Sequence, residues 1–267
     1  MRLGIIGGTG LVELDLQEQA THDSFKLLRR DSIRVDTPYG DVPLLCCSIL
    51  YNGNAHELVF LQRHHNADAP NRPPHAIDHR ANITALVDAK VDAIVSVCSV
   101  GAIAATLPPG KVVLAEQYID FTGRATTFHD NEAVFTSVTA PFDEGLNSVL
   151  DTILRDIQGF GPDEVMRYTY WLAEGPQFET AAEVLAIQRL GGDMVGMTMP
   201  REAKLANERH VPYVAICISS NWAAGKDPRD ANMPLKHHEV SSQANAKLAP
   251  VWACLLGLLG HHKPHVP

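Results

Sequence analysis

Residues 4–11 read Gly-Ile-Ile-Gly-Gly-Thr-Gly-Leu, close to the first residue of the chain. The apolar residues up to Ile6 predict a buried β-strand, and the glycines after them predict a tight turn. The N–H groups of a turn without Cβ atoms can face an anion, and Thr9 adds a hydroxyl donor. Taken alone, the stretch fits an anion-binding loop and a plain surface turn equally well.

The glycine spacing narrows the kind of anion. A dinucleotide-binding turn needs a third glycine where this chain has Glu13, and a P-loop needs a Gly-Lys-Ser/Thr sequence that does not follow here. The missing third glycine argues against an NAD-dependent oxidoreductase. The turn is therefore predicted to hold free phosphate or another small anion, with further ligands from elsewhere in the chain.

The composition of the 267 residues excludes several classes of protein. A formal net charge of −9 and a pI near 5.8 argue against a nucleic-acid partner. No apolar run approaches the roughly 20 residues of a membrane helix, and the first strand begins too early for a signal peptide. The five cysteines form no Cys-x-x-Cys pair, which favours reduced thiols in a cytoplasmic protein.

Predicted strands alternate with predicted helices, which indicates an α/β fold: a single domain with a mostly parallel or mixed central sheet flanked by helices. We predict that this domain spans residues 1–260 and that 261–267 form a disordered tail. A polar stretch without a predicted strand runs to about residue 32. Further strands are predicted at 42–51, 56–61, 91–97, 111–115, 168–173, 194–196 and 211–219, and helices at 75–89, 142–157, 180–190, 201–209 and 235–259.

Polar side chains stand where the predicted strands end, which is where open α/β sheets bind ligands. Arg63 offers a planar donor fork that suits phosphate oxygens. Four other donors stand at other strand ends and complete a predicted phosphate site: Thr9, His64, Ser99 and Thr198.

A second group of residues suits a planar heterocycle. Glu179 can accept from a ring N–H, Asn221 can both donate and accept, and Phe178 offers a flat apolar face. Each of the two polar residues also has a purely structural interpretation, Glu179 as an early helix residue and Asn221 as a turn residue.

These motifs together resemble the trimeric purine nucleoside phosphorylase superfamily, and within it the methylthioadenosine/methylthioinosine phosphorylase branch. The resemblance runs from Leu3 to about Leu259. It rests on Gly-Gly-Thr-Gly at 7–10, Arg63-His64, Gly-Pro-Gln-Phe-Glu-Thr at 175–180 and Gly-Met-Thr at 196–198.

The resemblance implies phosphorolysis: phosphate attacks the anomeric carbon of a nucleoside, and the purine leaves. Phosphate is then a co-substrate, and neither a metal nor an organic cofactor is needed. The partners are a purine nucleoside and phosphate, and the assembly is a homotrimer. The implied catalytic residues are Asn221, Glu179 and His64; phosphate would contact Thr9, Arg63, His64, Ser99 and Thr198, and the nucleoside would contact Phe178, Glu179, Met197, Asn221, Trp222, Ala223, His237 and Phe135, the last from a neighbouring subunit.

The residues after the last strand bear on the base. Members of the family that use 6-aminopurines resemble one another in an Asp-x-Asp at this place, where this chain has Asn221 and Ala223. The resemblance therefore favours a 6-oxopurine over methylthioadenosine, which stays the alternative substrate. The 5′ group is left open: one alignment brings His237 to it, which suits a hydroxyl, and another brings Met233, which suits a methylthio group.

Two other interpretations stay open at this point. Cys98-Ser99 departs from the family pattern, so a catalytically weak homologue that binds a planar aromatic ligand is an alternative. His75 and His79 have a helical zinc spacing without the glutamate of His-Glu-x-x-His. We therefore expect solvated helix histidines there and no metal.

Overall fold

The computed structural model describes residues 1–16, 24–66, 71–235 and 247–261. A nine-stranded mixed sheet stands at its centre. In the described ranges, no helix has the length and apolar character needed to cross a membrane. The strands are β1 (Arg2–Gly7), β2 (Phe25–Thr37), β3 (Gly40–Tyr51), β4 (Asn54–Gln62), β5 (Ala93–Ala102), β6 (Val112–Asp120), β7 (Arg167–Leu172), β8 (Met194–Gly196) and β9 (Tyr213–Trp222), and the helices are α1 (His79–Asp88), α2 (Glu144–Gln158), α3 (Ala181–Arg189), α4 (Met199–Glu208) and α5 (Leu248–His261).

The order of the strands brings the predicted site residues together. The sheet runs β2-β3-β4-β1-β5-β8-β7-β6-β9, and β9 pairs back onto β5, so that five strands close into a barrel. Strand β5 is parallel to β1 and to β9, and β1 is parallel to β4. The carboxyl ends of these four strands therefore meet at one edge. Strand β8 pairs antiparallel with the end of β5, which returns the residues after β8 to the same edge.

Helices cover both faces of the sheet. Helices α2 and α5 pack over one face, and Gly257 in α5 lies so close to α2 that an added Cβ would stand 2.3 Å from the Cδ1 of Ile153. Helices α1 and α4 pack together over the other face, where the core includes Ile83 and Leu205. The predicted α/β class with a mixed, helix-flanked sheet is confirmed.

The elements differ from the prediction at three places. Strand β2 was missed because it is an edge strand with mostly exposed residues and no clear apolar alternation. Helix α1 begins at His79, since Asp78 caps it by accepting from the N–H of Ala81 at 3.1 Å. Strand β5 continues through Gly101 instead of ending before it. Residues 236–246, in the predicted last helix, and 262–267, in the predicted tail, lie outside the described residues.

Candidate active site

A cavity of about 570 Å³ lies at the edge where the strand ends meet. Its wall includes ten of the thirteen residues predicted to bind phosphate or nucleoside. They come from six separate stretches of the chain, which the sheet order brings together. These ten residues are Thr9, Arg63, His64, Ser99, Phe178, Glu179, Met197, Thr198, Asn221 and Ala223.

The glycine turn forms one wall of the cavity, and two of its glycines are required by close contacts. The N–H of Leu11 donates to the carbonyl of Gly8 at 3.0 Å, which closes the turn. A Cβ at Gly7 would stand 2.2 Å from the carbonyl oxygen of Leu11, and a Cβ at Gly8 would stand 2.3 Å from Nη1 of Arg63. The turn can therefore pack against the guanidinium only because both positions lack a side chain.

Arg63 is only 2% exposed, and its guanidinium forms a paired salt bridge with Glu202. Nε donates to Oε1 of Glu202 at 2.7 Å, and Nη2 donates to Oε2 at 3.1 Å. Burial lowers the pKa of Arg63, but the neighbouring carboxylate outweighs it and the net pKa is raised. The arginine therefore reaches the cavity as a fully charged but already paired group.

The hydroxyls near the turn keep capacity for a ligand. Thr198 stands at the N-cap position of α4, yet its side chain makes no capping hydrogen bond. The buried Oγ of Ser99 has no hydrogen-bond partner within the described part of the chain. His64 is fixed through its Nδ1, which lies 2.8 Å from the carbonyl oxygen of Arg72. Hydroxyls, turn amides and one guanidinium can together bind an oxyanion.

The opposite end of the cavity carries a carboxyl and an amide. Oε1 of Glu179 is buried and has no partner in the described ranges, and burial raises the pKa of this carboxyl. Asn221 is held on both sides: its Oδ1 accepts from the hydroxyl of Ser220 at 2.9 Å, and its Nδ2 donates to the carbonyl of Trp222 at 2.8 Å. The second N–H of that amide is left for a ligand, and the buried Ala223 lies two residues further along the chain.

Between the two ends, the thioether of Met197 contributes to the wall. It packs against Gly175, which has a φ of +68°. A Cβ added at this position would stand 2.6 Å from the sulfur of Met197, so only glycine fits there. An apolar thioether at this place can support the ring of a sugar without competing for its hydroxyls.

Two of the predicted residues that the structure describes do not line the cavity. Trp222 packs against the apolar core under α1 and α4, so its side chain is placed away from the base end. Phe135 is 93% exposed on the irregular segment 121–141. His237 lies outside the described residues. Of the alternatives for the 5′ group, Met233 is 48% exposed and does not line the cavity, whereas Leu235 does.

Two residues near the site differ from what the sequence indicated. His79 was expected to be solvated, but it is only 5% exposed, with its Nδ1 3.8 Å from Oε1 of Glu202, and burial lowers its pKa to about 3. The described residues contain no cluster of three or more histidine, cysteine or acidic side chains that could hold a metal.

Glu202, the partner of Arg63, was not predicted at all. The one signal in the sequence that could have indicated it is its charge, because Glu202 stands on the apolar face of α4, four residues after Thr198.

The fold and the cavity define an α/β protein with a polar cavity at the edge where its strands end, and comparison with known proteins specifies its family. The family profile described as "Phosphorylase superfamily" matches residues 2–255. The chain belongs to the phosphorylase superfamily, and the predicted family resemblance is confirmed.

Individual relatives carry more specific names. One from Methanothermobacter thermautotrophicus, named "Probable S-methyl-5'-thioinosine phosphorylase", is 35% identical over 85% of this chain and 73% of its own. The 6-oxopurine nucleoside phosphorylase of Pyrococcus furiosus is 34% identical over 90% of this chain and 84% of its own. A crystal structure of a methylthioadenosine phosphorylase from an Antarctic soil metagenomic library has a TM-score of 0.77 and 27% identity, over 98% of this chain and 87% of that one.

Proposed function

We propose that the protein cleaves the N-glycosidic bond of a 6-oxopurine nucleoside, or of its 5′-methylthio derivative, with phosphate as the attacking group. The products are the free purine and ribose 1-phosphate or its methylthio analogue. The observation that carries the proposal is one cavity with hydroxyl and amide donors for an oxyanion at one end and a Glu179–Asn221 pair at the other.

The residues at the phosphate end can hold phosphate in position to attack the anomeric carbon of the nucleoside. Thr9, Ser99 and Thr198 line the cavity beside the glycine turn, where their hydroxyls and the turn amides can hold phosphate oxygens. A bound phosphate next to the anomeric carbon is both the nucleophile and the negative charge that stabilises an oxocarbenium-like transition state. His64, which is anchored through its Nδ1, lies at the same end and adds a further polar group.

The base end supports departure of a purine. Negative charge develops on the purine as the bond to the sugar breaks, and the remaining N–H of Asn221 can stabilise it. Glu179 in its ionised form can accept from a ring N–H, which 6-oxopurines carry at N1 and adenine does not. Phe178 also lines the cavity, and its aromatic ring can stack on the base.

The same residues support a 6-oxopurine over a 6-aminopurine. An amide can donate to a carbonyl oxygen, whereas a carboxylate at position 221 would repel it. Two of the relatives compared above are named for 6-oxopurine or thioinosine substrates, in agreement with this proposal.

One observation favours the 5′-methylthio substrate. Leu235 lines the cavity, and Val12 and two prolines, Pro73 and Pro74, add further apolar surface to its wall. An apolar wall accommodates a methylthio group without leaving a hydroxyl unsatisfied. We propose 5′-methylthioinosine as the second candidate substrate, beside inosine and guanosine.

We also propose that the active assembly is a homotrimer in the cytoplasm. Phe135 lies on a segment that also exposes Phe121 and Val134, and a partner subunit would cover these side chains. In a ring of three copies, each Phe135 could reach the cavity of its neighbour, as the family resemblance implies.

The test is a substrate panel of inosine, guanosine, 5′-methylthioinosine and 5′-methylthioadenosine, with and without phosphate. We expect purine release from the 6-oxopurine substrates that rises with phosphate concentration and is absent without it. Release that ignores phosphate would contradict the proposal. No release from any nucleoside would favour the alternative of a homologue that only binds a planar ligand.

A further inference from the structure

A buried ion pair lies directly behind the phosphate end of the cavity. Glu202 is fully buried in α4, one turn after Thr198, and it contacts Arg63 through both carboxylate oxygens. The two residues are 139 positions apart in the chain. Burial raises the pKa of Glu202, but pairing with Arg63 outweighs it and keeps the pKa below its usual value. The pair is therefore ionised on both sides.

The carboxylate of Glu202 is held from more than one side. Besides the guanidinium, its Oε2 accepts from the hydroxyl of Ser96 at 2.8 Å and from the hydroxyl of Tyr213 at 3.0 Å. A buried carboxylate is tolerated only when its oxygens are satisfied in this way. Any movement of Glu202 would leave at least one buried hydroxyl or charge without a partner, so the carboxylate is a rigid anchor.

The guanidinium of Arg63 is correspondingly fixed. Nη2 also donates to Oγ of Ser96 at 2.6 Å, and Nη1 donates to the carbonyl of Val97 at 2.9 Å. An arginine carries five N–H donors. The contacts with Glu202, Ser96 and Val97 use four of them, which leaves one N–H, on Nη1. That nitrogen is the one that packs against Gly8.

We propose that Glu202 is a positioning residue for phosphate, which acts through Arg63 by fixing the one remaining Nη1 N–H beside the glycine turn. This inference rests on the proposed phosphorolysis. The contact with phosphate belongs to Arg63, which lines the cavity, whereas Glu202 is fully buried and does not line it. Without Glu202, the guanidinium loses its charged partner and its fixed orientation, and the N–H no longer stands at one place.

The test uses Glu202→Gln, Arg63→Gln and the double variant in the full-length protein. Inorganic phosphate is titrated into each by calorimetry, and the Michaelis constants for phosphate and inosine are measured in parallel. Glu208→Gln is the matched control: it makes the same chemical change on the same helix, where the carboxylate accepts from Thr127 and Phe128 at the far end. Ser96→Ala is the milder variant, for the case that Glu202→Gln does not fold.

We expect Glu202→Gln and Arg63→Gln each to raise the phosphate dissociation constant about tenfold, the effect of one misplaced charge-assisted hydrogen bond. The double variant should be no worse than Arg63→Gln alone, because Glu202 acts only through Arg63. Ser96→Ala should weaken phosphate about threefold on the same reasoning. The Michaelis constant for inosine should stay within about twofold in every variant, and Glu208→Gln should match the wild type.

Unchanged or tighter phosphate binding in Glu202→Gln, or effects that add in the double variant, would overturn the inference. Equal weakening of phosphate and inosine would also overturn it, since a general loss of structure affects both. A wild-type protein that releases no purine would instead refute the proposed function, and the phosphate titrations would still decide the role of Glu202.

Discussion

Replacement of Asn221 by aspartate is the most direct test of the base end. The amide nitrogen of Asn221 donates to the carbonyl of Trp222 at 2.8 Å, and its other N–H is the one that we propose to donate to the base. Asn221→Asp converts this nitrogen into an oxygen, so that an acceptor faces both the Trp222 carbonyl and the 6-oxo side of the purine. The side chain keeps its size, and the hydroxyl of Ser220 can still donate to it.

The size of the effect follows from the lost contact. A hydrogen bond to a group that becomes charged contributes about 1.5–3 kcal/mol, and repulsion between two acceptors takes the total to about 3 kcal/mol. That corresponds to a roughly 100-fold decrease in kcat/KM for inosine. Adenosine should lose much less, because its 6-amino group can donate to the new carboxylate. The ratio of kcat/KM for inosine to that for adenosine should therefore fall by about two orders of magnitude.

The assay is purine release at saturating phosphate, with each nucleoside varied separately. Ser220→Ala is the control, since it removes the hydroxyl that holds Oδ1 but leaves the donor in place; we expect a loss of about threefold or less for both substrates. An inosine-to-adenosine ratio that Asn221→Asp leaves unchanged would refute the assignment of Asn221 to the 6-oxo side of the base.

Three further predictions address the glycine turn, the carboxyl and the buried histidine. Gly8→Ala places a Cβ 2.3 Å from Nη1 of Arg63, so the Michaelis constant for phosphate should rise about tenfold, whereas Gly161→Ala, where nothing lies within 4 Å, should leave it unchanged. Because burial raises the pKa of Glu179 above 4.5, kcat/KM for inosine should fall as the pH drops through that raised value, and Glu179→Gln should lose this acid limb; a limb that persists in the variant assigns it to another group. His79 has a pKa of about 3 in the folded chain against 6.5 normally, so the unfolded chain binds the proton between these values and the free energy of unfolding decreases as the pH falls. Chemical denaturation of His79→Phe should show a pH dependence that is flatter by about 1 kcal/mol per pH unit between about pH 6 and 5, and parallel curves would show that His79 does not contribute.

Much of the fold could be predicted because its signals are local. An apolar run such as 93–97 indicates a buried strand wherever it lies, and the glycines at 7–10 predict a turn from backbone geometry alone. Strand β2 could not be predicted, because an edge strand with both faces largely exposed carries no apolar period. His79 likewise has an ordinary helical context, and only the packing of α1 against α4 buries it.

By itself, the sequence determined the α/β class, the glycine turn and the chemical types available for a site: hydroxyl donors, an arginine, a carboxyl and an amide. Each of these depends on a few neighbouring residues, so a short stretch suffices to predict it. Tertiary structure alone decided how these groups are arranged and which buried partners they have. The glycine turn is one wall of the cavity because β1 lies between β4 and β5. Arg63 faces it as a paired charge because α4 brings Glu202 across 139 residues of chain. Such contacts depend on strand order and helix packing, which no local pattern of residues specifies.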